Sequence, residues 1–251
     1  LSRIPPGANL PRRGDPALVA AVAVPVTGAR VSVEGVLSVV NPLIQRTPAP
    51  GRRDRAAAVL AGVALFAGAA SFSQNMEFAN ESVRFMQAHA IVVDGRLDID
   101  RFRPGRNNDV SLHDGHLYPN KAPGQALLGA PFYWFAKRAL GIAPAIPLDN
   151  LSRWLTRLGT STLAFGLLGF ALFRTARRLG GAPGDAAAMV LAYGFGSIAL
   201  IHAMLFGGHQ VAAGLSFLAF AAVVGLARGE AGPGRAPTLR ALGAGLAAGL
   251  A

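Results

Sequence analysis

The sequence predicts an all-α integral membrane protein: a polytopic helix bundle with a long outer-face loop, containing surface helices, after its first span. Three observations carry this. Of 251 residues, 52% are hydrophobic and only 15% charged, with a mean hydropathy of +0.39, whereas a soluble domain carries about 25% charged residues. The apolar residues gather in runs long enough to cross a bilayer core, roughly 17–25 residues. Arginines collect beside those runs, as GRRDR at 51–55 and RTARR at 174–178, and such clusters mark the cytoplasmic flanks of spans.

Two further classes are narrowed by composition. The net charge of +11 raises nucleic acid as a partner, but no basic stripe carries interleaved aromatics and no binding motif is present, so none is expected. The chain has no cysteine, which excludes disulfides, thiolate catalysis and Cys-ligated metal.

Taken in order, residues 1–55 read as a disordered cytoplasmic leader, because Pro25, Gly28, Arg30 and Glu34 interrupt a weakly apolar stretch. The domain then runs over 56–251. Residues 56–73, AAAVLAGVALFAGAASFS, form an uncharged first span whose arginine-flanked start lies in the cytoplasm. Residues 155–173 return inward and end on RTARR. Residues 186–206 run outward with His202 as their one ionisable group, and 209–227 run back to a loop with Arg228, Arg235 and Arg240. A fifth span starts near 241 and stops at 251, inside LRALGAGLAAGLA. The first residue is Leu, so the chain reads as part of a longer protein.

That topology leaves 74–154 as one outer-face segment, and unstructured loops of such length are uncommon and usually functional. MEFANESVRFMQAHAIVV at 76–93 predicts a helix, with Phe78, Val83, Phe85, Met86 and Ala90 on its apolar face. Glu77, Glu81 and Arg84 share one side at spacings of four and three, with Asn80 beside them. A carboxylate there is placed to receive a group from a lipid. The same spacing also fits an exposed salt-bridge row worth about 0–1 kcal/mol. Residues 94–109 read as strand or turn, since Asp94-Gly95 signals a turn and Leu97 and Ile99 alternate with Asp98 and Asp100. Residues 123–136 are apolar but short, and predict a surface segment with Tyr133, Trp134 and Trp154 in the interfacial belt.

The segment HDGHLYPNKAPG at 113–124 concentrates polar chemistry. His113, Asp114 and His116 are close enough in sequence to contribute to a metal site, yet no third spaced histidine closes one, and Asp114-Gly115 is also an ordinary turn. No cofactor is expected, with a divalent metal as the alternative. His209, after a Gly-Gly step at a span's outer end, is a candidate pocket residue. His202 reads as a core residue bonded to a neighbouring helix.

NESVRF, GRLDID, DGHLYPNKAPGQALLGAPFY and LFGGHQVAAGLSFLAF together resemble bacterial polytopic glycosyltransferases of the GT-C superfamily. That group includes the protein O-mannosyltransferases (glycosyltransferase family 39) and the lipid A aminoarabinose transferases, and the resemblance covers about 75–251. It implies sugar transfer from a polyprenyl-phosphate donor to an unknown acceptor on the outer face of the cytoplasmic membrane. It implies donor-phosphate contact by Lys121, whose YPNKAPG step resembles one that opens a surface helix in the family. Glu81, with Glu77 second, would be the base that takes the acceptor's proton. Arg84 would orient the carboxylate or bind phosphate in bidentate fashion, and Asn80, Tyr118 and His209 complete the candidate substrate contacts. Relatives often have an acidic residue just before the lysine, where this chain has Asn120. The alternative is a non-catalytic membrane protein, either a scaffold or a lipid or solute carrier.

Overall fold

The computed structural model describes residues 51–72, 78–103, 109–141, 149–227 and 236–250. Residues 1–50 of the expected leader, and Glu77, lie outside them, while residues 52–55, also expected in the leader, form the first turn of a helix. The described residues are mostly helical: α1 (Arg52–Ala70), α2 (Ala79–His89), α3 (Gly124–Trp134), α4 (Asn150–Arg178), α5 (Pro183–Phe195), α6 (Ala199–Ala203), α7 (His209–Ala227) and α8 (Ala236–Leu250). Two short strands, β1 (Val110–His113) and β2 (His116–Pro119), form an antiparallel hairpin.

Local chemistry sets the helix starts. Asp54 in the first turn of α1 accepts from the Gly51 amide at 3.2 Å, a favourable charge at the helix's positive end. Asp149 caps α4, its Oδ1 accepting from the Ser152 amide at 2.7 Å. Pro183 opens α5, where a missing N–H costs nothing.

Two helices, Asn150–Arg178 and His209–Leu226, are long and apolar enough to cross a membrane. The single span expected over 186–206 is corrected. The helix breaks at 196–198, leaving α5 with 13 residues, about 20 Å at 1.5 Å per residue against a core of about 30 Å. Ser197 is the local cause. Its Oγ donates to the Tyr193 carbonyl at 2.6 Å and accepts from the Ala199 amide at 3.2 Å, so it ends one helix and starts the next.

Packing follows small residues. A Cβ added at Gly62 of α1 would stand 2.7 Å from the Gly166 carbonyl oxygen of α4, so the two backbones touch only because both positions are glycine. An ion pair between Arg177 Nε and Asp54 Oδ1, at 2.8 Å, ties the same helices at their ends. One core gathers Leu65 and Ala69 of α1, Phe165 and Phe173 of α4, Val190 of α5 and Ala203 of α6. A second holds Phe85 and Ala88 of α2, Ala126 and Tyr133 of α3, and Phe206 from the connection between α6 and α7.

In the segment between α1 and α4, the strand or turn expected over 94–109 is a turn and not a strand within the described residues 94–103. Gly95 turns the chain at φ 66°, and a 3-10 turn follows at Asp100–Phe102. Ile99 and Asp100 instead each make one bond to Leu117, from the Ile99 amide to its carbonyl at 2.8 Å and from its amide to Asp100 Oδ1 at 2.6 Å. The strands fall later, around Asp114-Gly115, whose φ values of 50° and 82° make the type I′ turn that two-residue hairpins favour. Finally, Tyr133 is fully buried in the second core, where a 2.9 Å hydrogen bond with His89 Nδ1 pairs its hydroxyl. Trp134 is exposed, and Trp154 donates to the Ala70 carbonyl at 3.1 Å.

Candidate functional site

The connection between α6 and α7, residues 204–208, is irregular backbone enclosed by helices. Its polar groups need partners there, since an unpaired buried donor or acceptor costs about 1–3 kcal/mol. Side chains supply them. The α4 helix widens into a π-type turn at Leu158–Thr162, and residues of that region face the connection. Thr162 Oγ1 donates to the Ala203 carbonyl at 2.9 Å, Arg157 to the Met204 carbonyl at 2.7 Å, and Ser161 Oγ to the Gly207 carbonyl at 3.1 Å. Gln125 of α3 donates in turn to Ser161 Oγ at 3.3 Å.

Glu81 completes the set from α2. Its Oε1 accepts from the Phe206 amide at 2.8 Å, and the Phe206 ring stacks on Phe85 one turn further along, with centroids 4.5 Å apart. Glu81 is only 5% exposed. Burial pushes its carboxyl above the usual range, opposed by the Phe206 amide and by the charges of Arg157, Arg153 and Arg84. Arg153 lies over the Phe85 ring at 5.3 Å. An exposed salt-bridge row is therefore excluded for Glu81, which turns inward toward buried arginines.

Two clefts meet at Arg84. The smaller, of about 200 Å³, is lined by Asn80, Glu81, Arg84, His202, Gly207 and His209 among others. The His202 and His209 rings pack against each other there at a tilt of 55°, 4.7 Å between centroids, so His202 lines a cleft instead of bonding into a helix packing. The larger cleft, about 730 Å³, has Arg84, Lys121 and Gln125 among its polar walls and Leu127, Leu128, Val211 and Leu215 among its apolar ones. Among the described residues, the Arg84 Nε and Asn80 Oδ1 atoms are buried without a hydrogen-bond partner. Groups of this kind mark places where a ligand or water completes the pairing.

The predicted residues thus divide. Glu81, Asn80, Arg84 and His209 line one cleft, and Arg84 and Lys121 line the other. Tyr118 sits on β2, opposite Ser111, with its ring near His113, and lines neither cleft. Lys121 Nζ is 3.6 Å from Asp109 Oδ2.

For a metal, His113 and Asp114 are exposed side chains 3.4 Å apart, while His116 turns toward Asp98 and Asp100, with donor atoms within 4.8 Å of one another. Those three donors already have protein partners. Arg96 bonds Asp98 at 2.7 Å, and Asp100 bonds His116 Nδ1 at 2.6 Å. The buried Arg153 and Arg157, four residues apart at the start of an apolar run, belong to no motif that marks them as site residues. Their signal was charge at the edge of a span, which is costly unless used.

No protein-family model, no curated protein and no solved structure matches this chain.

Proposed function

We propose that the protein is a membrane glycosyltransferase of the GT-C type, moving a sugar from a polyprenyl-phosphate donor to an acceptor hydroxyl on the outer face of the cytoplasmic membrane. The observation that carries this reading is the meeting of the two clefts at Arg84. The larger is lined by two cations and by leucine and valine side chains, which suits a phosphate attached to an isoprenoid tail. The smaller holds a carboxylate beside the same arginine.

In this reading Arg84 and Lys121 hold the donor phosphate, with the unpartnered Arg84 Nε donating to one of its oxygens. The acceptor enters the smaller cleft and gives its hydroxyl proton to Glu81. Its oxygen bonds to the sugar's anomeric carbon as the bond from that carbon to the phosphate oxygen breaks. The electron pair stays on the phosphate, where the two cations offset the growing charge. A carboxylate made more basic by burial suits the proton transfer, and the Phe206 amide holds it in place.

Glu81→Gln and Lys121→Ala, each made in the full-length protein in membranes, test this. Each is expected to lower transfer by about 100-fold or more. Retained transfer in both variants would refute the assignment.

A second reading, a lipid or solute carrier, is favoured by one observation: the helix series α5–α6–α7 is twice interrupted beside ionisable groups, a feature of carrier binding sites. It predicts donor binding and passage with no glycosidic product.

A further inference from the structure

Asp109 precedes the hairpin and has no part in the transfer step described above. Its carboxylate is held beside the cations of the larger cleft. Oδ1 accepts from Asn120 Nδ2 at 3.0 Å and Oδ2 lies 3.6 Å from Lys121 Nζ. The backbone fixes the pair, since the Asn120 amide donates to the Asp109 carbonyl at 2.9 Å. Asp109 is also the foremost negative charge acting on Arg84, ahead of Glu81. The carboxylate therefore stands against Lys121, and its charge also acts on Arg84.

The pair is built for exchange rather than permanence. The Lys121 side chain is 44% exposed and that of Asp109 25%, and ion pairs this open contribute little to stability. An arriving phosphate can take Lys121 from Asp109 at small cost, yet the carboxylate stays nearby, anchored by Asn120.

The charge at that seat changes during the reaction. A polyprenyl-phosphate sugar is a phosphodiester with one negative charge. Once the sugar leaves, the polyprenyl phosphate is a monoester carrying about −1.5 to −2 at neutral pH. Two cations alone would hold the product more tightly than the donor and leave the enzyme blocked by it.

We propose that Asp109 is a product-releasing counter-ion: a positioning residue that acts through Lys121, reclaiming it and repelling the more highly charged polyprenyl phosphate in preference to the donor. This rests on the donor reading above. It also gives a reason for an asparagine at 120, which carries no charge itself and holds the acid supplied by Asp109.

The test measures binding of undecaprenyl phosphate, and of the same lipid bearing a hexose, to the full-length protein in detergent. It compares wild type, Asp109→Asn, Asp109→Glu and Asp109→Asn with Lys121→Ala. The asparagine keeps an acceptor for Asn120 and removes the charge. Asp109→Asn should tighten undecaprenyl phosphate by about tenfold and the hexose-bearing lipid by about threefold or less. Asp109→Glu should restore the wild-type ratio, and Lys121→Ala should erase the gain. Equal changes for both lipids, or weaker binding of the product, would overturn the role of Asp109 and leave the donor reading standing. A wild-type protein that binds neither lipid would overturn both.

Discussion

Replacing Glu81 by leucine and by glutamine separates its two tasks, pairing the Phe206 amide and carrying a charge. Oε1 accepts from the Phe206 amide at 2.8 Å in a buried setting, and three arginine charges act on the carboxylate. Glutamine keeps an oxygen for that amide and loses the charge. Burial raises the carboxyl's pKa, so the charge is not a net source of stability at neutral pH and its loss in glutamine costs the fold little. Leucine removes the acceptor as well, leaving the Phe206 amide unpaired for about 2 kcal/mol more. For a chain of this size each kcal/mol moves the unfolding midpoint by about 2–4 °C. Thermal unfolding of the purified protein should therefore put Glu81→Leu about 4–8 °C below Glu81→Gln. Equal midpoints for the two would refute the claim that Glu81 holds the irregular connection before α7, whatever its role in transfer.

Three other outcomes follow from the packing. Burial opposes ionisation of Asp149, but hydrogen bonds from Lys137 and Ser152 outweigh it and hold its carboxyl below the ordinary 3.8. A lowered value stabilises above 3.8 and loses that contribution as pH falls through the folded value. Asp149→Asn should accordingly cost about 2 kcal/mol at neutral pH, the worth of a hydrogen bond to a charged group, and the gap from wild type should close in acid, as read by unfolding midpoints from pH 7 to pH 2. Tyr133→Phe should cost about 1 kcal/mol by removing the buried bond to His89, measured in the same assay. Gly62→Leu places carbon 2.7 Å from a backbone oxygen of α4. It should lower folded yield far more than the same change at Gly51, which meets nothing within 4 Å.

Much of the helical framework was legible because apolar run length is a property of whole windows. The α1, α4 and α7 helices begin or end near the arginine clusters and runs that marked them. The break at 196–198 was not legible in the same way: it depends on Ser197 bonding its own backbone on either side, and hydropathy averages over such a step. Glu81 shows a different limit. Spacing placed it on one side with Arg84 but could not say whether that side faced water or protein. The answer lies with Phe206 and Arg157, which are distant in sequence. Asp109 was closer to hand. A two-residue turn at Asp114-Gly115 pairs His113 with His116 and Val110 with Pro119, and one step further sets Asp109 against Asn120. Reading those residues as a turn without its strands hid the neighbour of Lys121.

The proposed function requires that the cleft lined by Arg84, Lys121, Leu127, Leu128, Val211 and Leu215 take a polyprenyl phosphate. A second apolar groove, lined by Val59, Val63, Phe66, Leu163, Leu167 and Phe170 with two glycines, offers no cation and serves as the internal control. The direct measurement is photocrosslinking in membranes with a polyprenyl phosphate carrying a diazirine in its tail, followed by peptide mapping. Adducts are expected at 124–128 and 211–215 and should be lost in Lys121→Ala. Adducts confined to the groove around Val59 and Leu167, unchanged by that substitution, would contradict the proposed function.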